Sequence, residues 1–332
     1  MTNTLKTIDQ ANIQSGTRVF VRCDLDVPIN SDGILGETYR LDAAVETLKF
    51  IISKGGMPVI AGHIGKPNGQ SDPKLSTKHL LPYFNETLGE ETFELLENLR
   101  FDPREETNDP TYAQELISQS KAEIYVNESF ATSHRKHASI VGIPQYLPAY
   151  AGLRLQKEIE TLSQLLENPQ RPFVIIIGGA KLESKLPVVS RFLESADFVV
   201  LGGKLGQEWK TEIPENLVLP TDYAEDQKDI GPNTIARYID IISRAKTILW
   251  AGPLGAYETP KFMEGTKNIA QTIIKATSEN EALSIIGGGD TITACDQMEL
   301  LSKFSFVSTG GGAMLQFLVE GTLPGIEALY KS

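Results

Sequence analysis

Apolar residues in this chain come in short runs, and in the second half each run breaks into glycine. Residues 174–177 stop at Gly178 and Gly179, 198–201 at Gly202 and Gly203, 247–250 just before Gly252, 283–286 at glycines 287–289, and 304–307 before glycines 310–312. Each run has the length of a buried strand, and continuous apolarity suits a strand covered on both faces. In a parallel sheet such ends all point the same way, so the backbone N–H groups of the glycine turns converge on one crevice. Bare amides and helix N-termini suit polyphosphate, which favours a nucleotide as ligand.

The first half repeats the rhythm with different strand ends. The run 18–22 is followed by Asp24, Leu25 and Asp26, 57–61 by His63, Ile64, Gly65 and Lys66, 93–96 by Asn98 and Arg100, and 124–126 by Asn127 and then His134 and Arg135. Helical patterns at 41–54 and 113–118 lie between them. Alternating strand and helix predict an α/β protein with parallel sheets. The first half offers side-chain cations suited to a small anion, the second backbone amides suited to a nucleotide, so two facing domains are expected. Leu155, Ile159, Leu162 and Leu166 recur at helical spacing, ended by Asn168 and Pro169. This is a connecting hinge helix or, on the plainer reading, a core helix of either domain.

Composition narrows the partners. A chain of 332 residues suits two domains, and its net charge of −12 with a pI near 5.0 argues against nucleic acid and anionic membrane surfaces. An acidic protein that handles anions then needs a local basic pocket. Cys23 and Cys295 sit in apolar contexts and read as small buried residues rather than a disulfide. No basic segment followed by an apolar core opens the chain, and no apolar run approaches ~20 residues, so a soluble, cytoplasmic protein is expected, monomeric by default.

Lys181 and Lys185 stand four apart just after a glycine turn. Near a helix start they oppose the dipole unless an anion lies between them; the alternative is a solvated surface pair. The segment lacks the glycine-lysine-serine/threonine of a Walker A loop. Asp290 follows Gly288 and Gly289 and suits either a phosphate-bound Mg²⁺ or a helix N-cap, and both can hold at once. Ile292 and Leu315 stand where the dinucleotide fingerprint needs its third glycine. Four histidines show no zinc-ligand spacing, and no serine lies in a nucleophile elbow. No general base stands out, which is informative if the nucleophile is already ionised.

Taken together these segments resemble the phosphoglycerate kinase family nearly end to end. The likeness is carried by RCDLDVP from Arg22, HIGKP from His63, LENLRF from Leu96, YVNESFATSHRKHAS from Tyr125, GGAKLESK from Gly178, DIGPNT from Asp229, WAGPLGAYETPKF from Trp250, GGGDT from Gly287, STGGGA from Ser308 and LPGIEAL from Leu323, in family order. The resemblance implies two Rossmann-like doubly wound parallel-sheet domains joined by a hinge helix. A discontinuous first domain of 1–152 with 319–332 would bind phosphoglycerate, 153–169 would connect, and 170–318 would bind nucleotide. The implied reaction is phosphoryl transfer between 1,3-bisphosphoglycerate and MgADP, giving 3-phosphoglycerate and ATP, with domain closure excluding water. In reverse the nucleophile is a carboxylate, so no base is needed.

Carried over position by position, Asp24, Leu25, Asp26, Arg40, His63, Ile64, Gly65, Lys66, Arg100 and Arg135 match the family's substrate pocket. Arg40, Lys181 and Gly311 match its catalytic positions. Gly179, Lys181, Lys185, Gly202, Gly203, Leu254, Glu258, Gly288, Gly289, Asp290 and Thr291 match its nucleotide site, with Asp290 on the Mg²⁺. Three residues depart from the pattern: Asp26 and Ala251 replace asparagines, and Lys66 replaces an arginine. The stretch 206–220 is also shorter than the family usually shows. Two rival readings follow from these departures: a catalytically silent relative serving as a binding or scaffold module, and a kinase for another acyl phosphate.

Overall fold

The structure, a computed structural model, describes residues 5–30, 33–180, 183 and 185–330. The chain divides into two compact units, Met1–Glu160 with Thr322–Ser332, and Thr161–Gly321.

The first unit runs β1 (Arg18–Cys23), α1 (Tyr39–Ser53), β2 (Met57–Ala61), α2 (Leu81–Leu88), β3 (Glu94–Leu95), α3 (Pro110–Ser120), β4 (Ile124–Glu128) and β5 (Ala149–Ala151), and then enters α4 (Leu153–Glu167). All pairings are parallel in the order β3-β2-β1-β4-β5, with Val21 opposite Ile60 on one side and Val126 on the other. Residues 19–23 of β1 are buried throughout, as a central strand covered on both faces requires. Leu41, Ala44, Leu48 and Ile51 of α1 recur every three or four residues and pack into the same core.

The second unit runs β6 (Phe173–Ile177), α5 (Leu186–Leu193), β7 (Phe198–Leu201), α6 (Gly203–Glu208), β8 (Leu217–Val218), α7 (Pro232–Ile242), β9 (Thr247–Ala251), α8 (Glu264–Asn280), β10 (Leu283–Gly287), α9 (Gly289–Asp296), β11 (Phe306–Ser308) and α10 (Gly312–Glu320). Its parallel sheet has the order β11-β10-β9-β6-β7-β8. A last helix, α11 (Pro324–Tyr330), returns to the first unit.

Counted from the first strand of each unit, both sheets follow the doubly wound order 3-2-1-4-5, and the second adds a sixth strand. The expected fold class is therefore observed. Strand order reverses beside β1 and beside β6, and ligands of such sheets bind outside the carboxyl ends of the strands at that point. The last strand lies at Phe306–Ser308, not 304–307: Phe304 turns into the core and lies tilted against Trp250, ring centroids 6.4 Å apart. Strands β5 and β8 have only three and two residues, too few to leave a period in the sequence.

The boundary between the units falls within α4, after Glu160. The N-terminus of α4 is capped by Glu128 at the end of β4, whose carboxylate accepts the N–H groups of Arg154 (3.0 Å) and Leu155 (3.3 Å). The Thr47 hydroxyl accepts Leu153 N–H at 2.8 Å and donates to Glu128 at 2.5 Å. Gly152 is required there, since a Cβ would stand 1.9 Å from Glu128 Oε2.

Candidate active sites of the two units

The carboxyl ends of β1, β2 and β3 gather the predicted cationic residues of the first unit. Asp24, just past β1, is buried and pairs through Oδ2 with Arg40 Nη1 at 2.9 Å. Burial raises the Asp24 carboxyl, the Arg40 guanidinium opposes that rise, and Asp24 in turn raises Arg40. Arg40 thus presents a fixed positive charge from the first turn of α1. Asp26 Oδ1 accepts Gly65 N–H at 2.8 Å, which holds the loop after β2 against the loop after β1.

His63 is buried, and burial together with the Arg22 charge pushes its pKa well down, so the ring is neutral. Arg22 Nη2 faces His63 Nδ1 at 3.1 Å; an arginine can only donate, so Nδ1 accepts and the proton sits on Nε2. Arg100, in a short 3₁₀ turn, donates from Nη1 to Gly65 O at 3.0 Å, and its Nε lies 3.3 Å from Glu106 Oε1. Burial lowers Arg100, with Arg135 and Arg22 adding repulsion. Arg100 thus lies within electrostatic reach of two further guanidiniums, with Glu106 offsetting part of their repulsion. Lys66 is exposed at the rim, Arg135 half-buried. Leu25 and Ile64, expected among the substrate residues, have their side chains in the hydrophobic core, so any contact with substrate would be made by their backbone.

Sequence reasoning missed the support beneath this cluster. Arg22 is fully buried within β1, with Nε on Ser139 Oγ at 2.9 Å and Nη1 on Cys23 O at 2.5 Å. Ser139 in turn donates N–H and hydroxyl to the buried Glu105 carboxylate, at 3.0 and 2.5 Å. His137, 3.7 Å from Glu105, is held down to about 3 by burial and the surrounding arginines. The available signal was an arginine inside an otherwise apolar strand, since a buried charge demands a network.

In the second unit glycine does the work that arginine does in the first. Gly178 follows β6 and Gly252 follows β9, and their backbones meet: Gly178 N–H donates to Ala251 O at 2.9 Å, and a Cβ on Gly178 would lie 2.1 Å from Pro253 O. A cavity of about 360 Å³ opens there, lined among others by Gly178, Gly179, Ala180, Lys185, Ala251, Gly252, Gly288, Gly289, Asp290, Thr291, Gly311 and Gly312. The glycine turns before α9 and α10 bring two helix N-termini to it. Gly311 has φ 50° and ψ −113°, a conformation that side chains disfavour. Thr291 Oγ1 accepts Gly252 N–H at 2.7 Å, tying the β9 turn to α9.

A second cavity of about 300 Å³ shares Gly179, Ala180 and Asp290 with the first and extends past Gly203, Leu254, Tyr257 and Glu258. Gly202 packs on Leu254, where a Cβ would meet Cδ2 at 2.0 Å. Asp229 of the DIGPNT segment is structural: its carboxylate accepts the N–H groups of Ile230 and Gly265, and burial raises it to about 6. Lys185 stands at the start of α5, its pKa lowered by burial and supported by Asp290. Lys181 lies outside the described residues. Among the described residues no three His, Cys, Asp or Glu side chains cluster as a metal site. A lone Asp290 beside a glycine-lined cleft suits a divalent ion that arrives on a polyphosphate, which needs only one or two carboxylates.

A family model described as phosphoglycerate kinase matches residues 8–212 and 210–321. The phosphoglycerate kinase of Leptospira biflexa is 35% identical over 396 aligned positions, covering 98% of each chain. That of Desulforudis audaxviator is 34% identical over 394, again covering 98% of each. Solved structures of phosphoglycerate kinases from Coxiella burnetii and Pyrococcus horikoshii superpose with a TM-score of 0.83, at 29% and 26% identity over 98–99% of both chains. An alignment of 396 positions exceeds the 332 residues here, so the relative carries segments that this chain lacks. The two parts of the family match meet at 210–212, between α6 and β8, within the stretch that reads as shortened. With both strand-end sites in place and the match running almost end to end, this chain belongs to the phosphoglycerate kinase family.

Proposed function

We propose that the chain catalyses reversible phosphoryl transfer from 1,3-bisphosphoglycerate to ADP, with the acid held by the first unit and the nucleotide by the second. One observation carries the reading: a single chain joins an arginine cluster at the strand ends of one doubly wound sheet to a glycine-amide cleft at the strand ends of another. Arg100 and Arg135, with the neutral Nε2–H of His63, would hold the remote phosphate of the acid. Arg40, kept charged by Asp24, would face the migrating phosphoryl group. In the direction of acyl phosphate formation the nucleophile is the acid's own carboxylate, already ionised at neutral pH, and the site accordingly supplies cations and N–H donors rather than a base.

On the nucleotide side, the amides after β6, β10 and β11 would receive the phosphates, with Lys185 beside them. Leu254 would border the base and Glu258 the ribose hydroxyls. Asp290 would hold Mg²⁺, whose charge would offset that of the nucleotide phosphates. The reaction needs both ligands to meet out of reach of water, so the proposal includes a closing step about α4. A cytoplasmic, monomeric enzyme is the form proposed; no described helix is long and apolar enough to cross a membrane. A coupled assay tests the reading: ATP should form from 1,3-bisphosphoglycerate and MgADP. Binding of both ligands without turnover would replace it with a silent relative, and faster turnover of another acyl phosphate would replace the substrate.

A further inference from the structure

We infer that Tyr39 and Arg154 are positioning residues: the Tyr39 hydroxyl, held by the guanidinium of Arg154 on the first turn of α4, fixes the first turn of α1 and so aims Arg40, the next residue. The inference rests on the role proposed for Arg40 and adds to it the two side chains through which that role is set.

Arg40 is the second residue of α1, at a helix end without a side-chain cap. The residue before the helix, Thr38, turns its hydroxyl to Asp42 Oδ2 at 2.9 Å instead of serving the first amides. Helix ends fray, and a guanidinium on such a turn moves with it unless something else ties the turn down. Asp24 holds the tip of Arg40 at 2.9 Å, which does not by itself fix the backbone beneath it. That tie comes from Tyr39, half-buried, whose hydroxyl oxygen accepts from Arg154 Nη2 at 3.3 Å. The same nitrogen donates to Glu158 Oε1 at 2.8 Å, and Glu158 is fully buried. Paired with a carboxylate one turn along its own helix, the guanidinium has a fixed place from which to hold the tyrosine.

Arg154 stands on a turn that is itself fixed against α1. Its N–H is accepted by Glu128 at 3.0 Å. Thr47, eight residues and about 12 Å along α1 from Tyr39, accepts Leu153 N–H at 2.8 Å and donates to Glu128 at 2.5 Å. Thus α1 meets the start of α4 at two points, one mid-helix and one beside Arg40. The Thr47 tie is buried and sets the helix; the Tyr39 tie sets the turn that carries the charge. Arg154 and Arg40 both act on the Tyr39 hydroxyl, which burial nevertheless pushes up to about 12, so at neutral pH it is an uncharged O–H. A misplacement of about 1 Å can cost about a hundredfold in rate, so loosening one of two anchors is read in kcat rather than in binding.

A double-mutant cycle on the full chain, with 3-phosphoglycerate and MgATP as substrates, tests the inference. Tyr39→Phe removes one oxygen and keeps the ring; it should lower kcat about tenfold and change either KM by less than about twofold. In an Arg40→Ala background the same substitution should change kcat by less than about twofold, since no charge remains to be aimed. An unchanged kcat in Tyr39→Phe, a loss confined to KM, or an equal loss with and without Arg40 overturns the inference and leaves the proposed function standing. A wild-type chain without turnover overturns both. Should Tyr39→Phe fail to melt cooperatively, Arg154→Lys, which keeps a cation for Glu158 and loses the planar fork, gives the same comparison.

Discussion

The two units share one fold order and solve the same problem, holding a multiply charged anion, with opposite materials. The first uses side chains: Arg40 and Arg100 are braced by Asp24 and Gly65, and the buried Arg22 that orients His63 is braced by Ser139, each at 3.0 Å or less. The second uses backbone: glycines at 178, 252, 288, 289, 311 and 312 clear space so that amides and helix ends face the cleft. A side-chain site concentrates full charges and must support them with buried partners. A backbone site has no charge to desolvate, but it fixes the chain in conformations only glycine tolerates, as at Gly311. Substitution should therefore act through lost charge in one unit and through added volume in the other.

Arg40→Ala should have the largest effect, lowering kcat about 1000-fold, near 4 kcal/mol, because it removes a charge aimed at the transferring group. Stopped-flow or coupled kinetics checks it, and a loss under tenfold would remove Arg40 from the chemistry. Next comes the buried support of α4. Burial raises the Glu128 carboxyl to about 7, above its usual value of 4.5. A raised carboxyl keeps its proton longer in the folded chain, so its cost is absent at low pH and grows as pH rises from about 4.5 to about 7, levelling off above that at about 3 kcal/mol. Glu128→Gln forfeits part of the cap at every pH, yet urea melts should show its deficit against wild type shrinking between pH 5 and pH 8. A deficit that stays constant would contradict the assignment.

Gly289→Ala tests the backbone site alone. A Cβ there meets nothing within 4 Å and the residue lines the cleft, so stability should hold within about 0.5 kcal/mol. The methyl group enters the phosphate space, and MgADP affinity should fall about tenfold, 1.4 kcal/mol, by calorimetry. The smallest effect belongs to Lys66→Arg. Exposed at the rim, it should tighten 3-phosphoglycerate binding about threefold by adding a planar fork, within the modest worth of an exposed pair.

The asymmetry between the units also decided what the sequence could show. Glycine after an apolar run is a pattern any reader can count, and it located β6, β7, β9 and β10 together with the cleft at their ends. The cations of the first unit were visible as residue types after strands, and Asp24, Arg40, His63 and Arg100 do converge. Their support was not legible: Glu105 and Ser139 come from segments 34 residues apart, and nothing in local spacing joins them to Arg22. Leu25 and Ile64 show the reverse limit, since matching a motif did not reveal that their side chains serve the core. The two-residue β8 carried no period at all. Asp229 belongs to a motif of the family resemblance, yet its carboxylate is spent on the amides of Ile230 and Gly265.

Separate holding of the two ligands is tested most directly by crossed calorimetric titrations of 3-phosphoglycerate and MgADP into Arg100→Met and Gly289→Ala. The arginine variant should lose at least about tenfold in affinity for the acid and keep its affinity for the nucleotide, with the glycine variant doing the reverse. If either substitution weakens both ligands equally, or if the losses fall on the opposite partners, the division of labour described here is wrong.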